Sequence, residues 1–202
     1  MDLFNSKDNK TINRLPKDGE LYYYDSILSA EMATNYFRQL MQEIQWQQDE
    51  VYIFGKHIFT KREVAWYGEK PFTYTYSGIT KKARPWTPTL NQMKALVEQE
   101  SGQTYNSCLL NLYHNGNEGM NWHSDDEKDL APYAAIASVS LGAARPFAFK
   151  HKQSKEKVKL QLHHGSLLVM KGETQRHWLH SLPKSQKVTK PRINLTFRQI
   201  AK

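Results

Sequence analysis

Two stretches of this chain carry side chains that could hold a metal. One runs from Asn111-Leu-Tyr113 to His123-Ser-Asp125-Asp126-Glu127 and contains a His-x-Asp pair; the other is His177-Trp-Leu-His180, followed by Ser181-Leu-Pro183. Two histidines and one carboxylate form the facial triad that binds Fe(II) and leaves positions open for O2 and a chelating acid. Side chains at i and i+2 of a strand share a face, so His123 and Asp125 can serve one ion if their segment is extended. The third ligand must then come from a distant strand. Spacing does not choose between His177 and His180, which face opposite ways on a regular strand. His114, His151, His163 and His164 fall in predicted turns and read as solvated.

A His-x-Asp pair alone is more often a surface pair than a ligand set. The segment Arg192-Ile-Asn-Leu-Thr-Phe-Arg198 gives it weight. As a strand it places Arg192, Asn194, Thr196 and Arg198 on one face and Ile193, Leu195 and Phe197 on the other. A polar face turned toward a barrel interior calls for a ligand, and guanidinium groups suit a dicarboxylate such as 2-oxoglutarate. Asn111 and Tyr113, also at i and i+2, could add hydrogen bonds from a neighbouring strand. The competing reading is an edge strand with solvent-facing arginines.

These residues need a scaffold, and the chain supplies one. At 202 residues it suits a single domain with a sizeable core. Residues 1–18 are polar and read as a loose tail. Leu21–Tyr24 reads as a strand, Ser29 as the N-cap of a helix reaching about Ile44, and Thr87-Pro88 as the start of a second helix ending near Gly102. Val51–Tyr76 reads as short strands broken at Gly55 and Gly68. From Ser107 the pattern becomes strands: 108–113, 136–141, 147–150, 158–162, 167–170, 178–182 and 193–197. The expected fold is α+β, a double-stranded β-helix (jelly-roll) core buttressed by amino-terminal helices. Residues 19–202 would form that one domain, with 19–105 as buttress and hairpins and 106–202 as the core.

Composition narrows the setting. No apolar run is long enough for a membrane span, and the amino terminus has no apolar signal segment. A lone cysteine, Cys108, fits a reducing intracellular compartment, cytoplasmic or nuclear. A net charge of +8 favours a polyanionic partner. The cations cluster at Lys150–Lys159, at Lys184–Arg192, and around the aromatic segment flanked by Lys56, Lys61, Arg62 and Lys70. Of these, Lys56, Arg62 and the Lys150–Lys159 segment could hold phosphates.

The blocks Phe54-Gly55-Lys56, Thr73-Tyr-Thr-Tyr-Ser-Gly78, Pro85-Trp86, Asn111-Leu-Tyr113, His123-Ser-Asp-Asp-Glu127, Ile136-Ala-Ser-Val-Ser140, His164-Gly-Ser-Leu-Leu168, His180-Ser-Leu-Pro183 and Arg192–Arg198 occur in one order. In that order they resemble the AlkB family of Fe(II)- and 2-oxoglutarate-dependent nucleic-acid dealkylases, closest to its duplex-DNA repair branch. The resemblance spans about Val51 to Ile200. It implies Fe(II), O2 and 2-oxoglutarate as cofactor and co-substrates, with His123, Asp125 and His180 as metal ligands. It implies Asn111, Tyr113, Arg192, Asn194, Thr196 and Arg198 as the co-substrate pocket. Tyr74 and Tyr76 match the aromatics beside a flipped base, Asp126 and Glu127 its acidic neighbours, and Phe54, with Gly55 and Lys56, a wedge that enters the duplex. The reaction implied is oxidative removal of N-alkyl groups from DNA bases, yielding an aldehyde, succinate and CO2, by an enzyme expected to be a monomer. The segment His57–Lys61 departs from that branch. The same iron chemistry on RNA or a protein side chain, or a non-catalytic DNA-binding module, are the alternatives.

Overall fold

Ser29 and Thr87 both sit in extended backbone, and each side chain accepts a hydrogen bond at 3.2 Å from the amide three residues on. Those caps start helices α1 (Ala30–Glu43) and α2 (Pro88–Ser101). Helix α2 stops where Gly102 turns into the left-handed region, with φ at 63°. The computed structural model describes residues 11–53, 56–76 and 79–201, and of 51–53, 56–58, 74–76 and 79–80 the backbone alone.

Around the helices the chain runs as β1 (Glu20–Tyr24), β2 (Gln47–Ile53), β3 (Lys56–Gly68), β4 (Thr73–Tyr76), β5 (Ile79–Lys82) and β6 (Arg84–Pro85), with α1 after β1 and α2 after β6. Then follow β7 (Ser107–Tyr113), β8 (Met120–His123), β9 (Ile136–Gly142), β10 (Arg145–His151), β11 (Lys157–Leu162) and β12 (Ser166–Lys171). A one-turn helix α3 (Thr174–His177), β13 (Trp178–Leu182) and β14 (Arg192–Arg198) close it. The large sheet has the order β1-β12-β9-β14-β7-β3-β2, with β6 beside β3; the small one is β11-β10-β13-β8, and β4-β5 form a separate hairpin.

Strand β14 explains the layering. It lies between β9 and β7 at the heart of the large sheet and is buried on both faces except at Arg198. Ile193, Leu195 and Phe197 pack with Leu110, Val139, Leu40, Leu90 and Met93 in a core beneath the helices. The opposite face of the sheet turns to the small sheet. There Leu21, Ile136, Leu168 and Met170 meet Phe149, Leu162 and Trp178. This two-layer antiparallel sandwich with helices against one layer is the expected jelly-roll.

Part of the tail expected to be loose is held. Leu15 is buried, the Trp178 indole donates to the Lys17 carbonyl at 3.0 Å, and Glu20 and Thr174 exchange hydrogen bonds at 2.8 and 3.0 Å. A buried apolar anchor and satisfied backbone groups outweigh the segment's polar composition. Residues 1–10 lie outside the described residues. Of the short strands expected over Val51–Tyr76, β3 is long, running unbroken from Lys56 and pairing with β2 as a ribbon, and it ends at Gly68, where a break was expected; the break expected at Gly55 falls outside the described residues.

Candidate metal centre and co-substrate pocket

The register of β13 against β8 sets His180 opposite His123. The rings meet edge-on with centroids 4.2 Å apart. Asp125 follows β8 on a loop, and that loop is tied at several points. The Asp125 amide donates to Gln175 Oε1 at 2.9 Å, while Lys152 Nζ donates to Ser124 Oγ at 3.1 Å and to the Gln175 carbonyl at 2.9 Å. Arg198, at the end of β14, donates through Nε and Nη2 to Asp125 Oδ2 at 3.0 and 2.5 Å.

Each remaining atom then has one direction left. His123 Nδ1 lies 2.7 Å from the Asn121 carbonyl, which can only accept, so Nδ1 carries a proton and, in the neutral tautomer, Nε2 is the nitrogen with the lone pair. His123 Nε2 and His180 Nε2 both lie 3.7 Å from Asp125 Oδ1. That is too long for a hydrogen bond. The three ligand atoms fall within 4.8 Å of one another, a spacing that one ion could share. Burial lowers the His180 pKa to about 4, so the ring is neutral at pH 7, as a ligand must be. Burial alone would raise the Asp125 pKa, but the Arg198 charge, with His180 and His123 behind it, brings it to about 2. Position, not periodicity, distinguishes the two histidines: His177 lies in α3 and stacks on His151 with ring centroids 6.2 Å apart.

The same pocket is walled by Asn111, Tyr113, Arg192, Asn194, Thr196 and Arg198, so all nine residues expected as metal ligands or co-substrate contacts line one cavity. Arg192 is 2% exposed. Its Nη2 donates to Ser140 Oγ at 2.9 Å and to Asn194 Oδ1 at 2.7 Å, and its guanidinium lies 5.6 Å from the Tyr113 ring centre. Asn194 Nδ2 in turn donates to Thr196 Oγ1 at 2.7 Å. Among the described residues no carboxylate pairs with Arg192, and its Nε lacks a partner. Burial pulls its pKa down to about 10. A buried cation without a counter-ion is costly. An incoming carboxylate would satisfy it, and 2-oxoglutarate fits this wall on that ground. Arg198 differs, because it is already engaged with Asp125.

Asp126 and Glu127 stand on the loop beyond Asp125. Asp126 is largely exposed, 3.9 Å from Lys152 Nζ. Glu127 is half-buried; burial raises its pKa, and Oε2 has no hydrogen-bond partner among the described residues. Tyr74 and Tyr76 fall on β4 and Lys56 opens β3, but only their backbones are described; Phe54 and Gly55 lie outside the described residues.

Two sequence expectations change. Arg62 is not a free phosphate contact: it is buried, paired with Asp49, and its Nη1 donates to Met120 Sδ at 3.3 Å. His151 is buried rather than solvated. With Asp18 and His177 it forms the second group, among the described residues, able to hold an ion by distance. His151 Nδ1, however, accepts from the Ser154 amide at 3.0 Å. The proton therefore sits on Nε2, which lies 3.2 Å from Asp18 Oδ2 without a hydrogen bond to it. With Nδ1 accepting and Nε2 protonated, the ring offers no lone pair to a metal.

Sequence reasoning assigned no role to Gln175, Ser138 or Ser140, and read Lys152 only as one cation of a phosphate-holding segment rather than as a tie on the metal loop. Ser138 and Ser140 had a signal, since they are polar at i and i+2 in an otherwise apolar strand, as on β14. Gln175 and Lys152 had none, because only the fold brings them to the metal loop.

Residues 20–198 match the model of the 2OG-Fe(II) oxygenase superfamily. The chain is 43% identical over 188 residues to the mouse protein "DNA oxidative demethylase ALKBH2", covering 88% of this chain and 79% of that protein. It is 40% identical over 187 residues to the human "Alpha-ketoglutarate-dependent dioxygenase alkB homolog 3", covering 88% of this chain and 65% of that one. In fold it is similar to a solved structure described as "The structure of OsALKBH1", with a TM-score of 0.65 at 16% identity, over 89% of this chain and 96% of the other. A His-Asp-His cluster beside a buried, unpaired arginine is the equipment this match requires, and the chain belongs to the 2OG-Fe(II) oxygenase superfamily and, within it, to the AlkB family.

Proposed function

We propose that this enzyme repairs DNA by oxidative removal of alkyl groups from base nitrogens, of the N1-methyladenine and N3-methylcytosine type. One observation carries the reading: the triad and the Arg192 cation share a single cavity. The relatives named DNA oxidative demethylase supply the substrate class.

His123, Asp125 and His180 would hold Fe(II), with Arg198 orienting Asp125 so that Oδ1 faces the imidazoles. Arg192 would take the distal carboxylate of 2-oxoglutarate, with Asn194, Thr196, Tyr113 and Asn111 along its length. Fe(II), when bound, supplies O2 activation coupled to conversion of 2-oxoglutarate to succinate and CO2, which hydroxylates the N-alkyl carbon. The hydroxylated carbon then leaves as an aldehyde. The sandwich walls keep water from the reacting carbon. Asp126 and Glu127 stand where negative charge would favour a cationic, alkylated base over a neutral one.

A base must leave the stack to reach such a cavity, at a cost of a few kcal/mol. Phe54, with Gly55 and Lys56, is the proposed wedge, and Tyr74 and Tyr76 the proposed stacking partners. Duplex preference rests on that sequence block. The site is complete within one chain, which supports a monomer acting as one unit over 19–202. A lone cysteine, Cys108, with no disulfide supports a reducing compartment.

The test is release of succinate and formaldehyde by Fe(II)-loaded protein with 2-oxoglutarate and an N1-methyladenine duplex. Single-stranded DNA and RNA of the same sequence run in parallel. Release that needs iron, co-substrate and methylated duplex supports the reading. Equal or faster turnover on RNA overturns the duplex assignment, and succinate without repair of any oligonucleotide overturns the substrate class.

A further inference from the structure

Strands β2 and β3 pair regularly except at one place. Gln48 stands opposite Glu63 and Glu50 opposite Phe59, so Asp49 alone faces the longer stretch Thr60–Arg62. Such irregularities re-aim a side chain and cluster near active sites. Here the carboxylate is only 14% exposed and meets two cations. Oδ2 accepts from Arg62 Nη2 on β3, and Oδ1 accepts from Lys81 Nζ on β5.

Both partners lead somewhere. Lys81 stands directly opposite Tyr74 across the β4–β5 hairpin. That hairpin belongs to neither large layer. Arg62 reaches on to Met120 Sδ, and Met120 lines the metal pocket. One carboxylate thus joins the β4–β5 hairpin to the β2–β3 ribbon and to the pocket wall. Without it, two cations that now converge on a shared anion would repel each other.

We propose that Asp49 is a positioning residue, a latch that fixes the β4–β5 hairpin against the β2–β3 ribbon and so sets how well the alkylated base is held; the part concerning the base rests on the function proposed above. The latch acts through geometry. A competing account in which these residues merely set local charge makes the opposite forecast for two variants. Asp49→Asn adds positive charge near a polyanion and Lys81→Met removes it. Charge alone would tighten DNA binding in the first and weaken it in the second. A latch is broken by either.

The experiment measures repair kinetics on methylated duplex for Asp49→Asn, Lys81→Met and the double variant, together with hydrogen exchange of the 73–82 amides. Both single variants are expected to raise KM about two- to five-fold with kcat retained, the scale of one part-exposed ion pair. The double variant should be no worse than the poorer single one, because both remove one interaction. Exchange should quicken in the hairpin but not in β14. Opposite KM changes in the two single variants, or unchanged exchange in the hairpin, would overturn the latch. Lys81 is 35% exposed, so if Asp49→Asn fails to fold, hairpin exchange in Lys81→Met carries the test, because loss of charge alone would not quicken it. Exchange needs no substrate. Faster hairpin exchange in a protein that repairs no oligonucleotide would therefore uphold the latch and reject the substrate assignment instead.

Discussion

Arg198 binds one oxygen of Asp125 through two nitrogens, and the other oxygen is left facing His123 and His180. The guanidinium does two jobs at once: it keeps the carboxylate ionised and it fixes the rotation of the carboxylate. Removing it should therefore harm the metal before it harms the fold. Arg198→Met is expected to weaken Fe(II) binding by about ten- to a hundred-fold, the range found when a group orienting a metal ligand is lost. Titration of the anaerobic apoprotein with Fe(II) measures this; unchanged affinity would reject the orienting role.

Arg192 offers a contrasting case. Replacing it by alanine is expected to raise the KM for 2-oxoglutarate by about ten- to a hundred-fold, on the scale of a lost charge-assisted hydrogen-bonded pair. Fe(II) affinity should stay near that of the unaltered protein. Arg192→Lys should recover only part of the loss, because a point charge cannot reproduce the planar fork. The co-substrate dependence of succinate formation decides it.

Removing a ligand should separate chemistry from binding. His180→Ala and Asp125→Ala are each expected to abolish dealkylation while leaving DNA affinity largely intact. Retained activity in either would remove that residue from the ligand set. Gel-shift titrations with methylated duplex supply the binding half of the comparison.

His180 also predicts a pH dependence of the metal-free protein. Its folded pKa, about 4, lies below the ordinary value of 6.5. Between those values the unfolded chain binds the extra proton, so stability contributed by the neutral ring is full above pH 6.5 and is lost as pH falls toward 4. Glu127 works in the opposite sense, since its raised pKa favours the folded state where it is protonated. Comparing urea midpoints of the unaltered protein and His180→Gln from pH 7 to 4 isolates the histidine. The variant should show the weaker decline.

Gly116 predicts a steric effect away from the chemistry. A methyl group there would come within 1.8 Å of the Ser185 carbonyl oxygen, where the loops after β7 and β13 exchange backbone hydrogen bonds. Gly116→Ala is expected to cost about 1–3 kcal/mol, read as a lower melting temperature with the metal site still competent.

The sequence was most informative where one strand has two unlike faces. Arg192 to Arg198 alternates so cleanly that its polar face could be assigned inward, and β14 has that arrangement at the centre of the large sheet. Caps Ser29 and Thr87 and the stop at Gly102 were legible because each acts within one helical turn. The selection of His180 over His177 was not a matter of spacing. It depends on the pairing of β13 with β8, and β8 is a short segment with no strong alternation. Asp49, Arg62 and Lys81 were illegible as a unit, since an irregularity in strand pairing brings them together and leaves no mark in composition.

The imidazoles ride on the small sheet, while the arginine that orients the carboxylate and the one suited to the co-substrate both belong to the large sheet. Neither layer alone assembles the centre. A chain caught half-assembled during synthesis, or opened by heat, lacks the arginines that orient Asp125 and suit the co-substrate, so full oxidising power would arise only once the two layers have closed on each other. In an enzyme working beside DNA, topology thereby acts as a safety interlock.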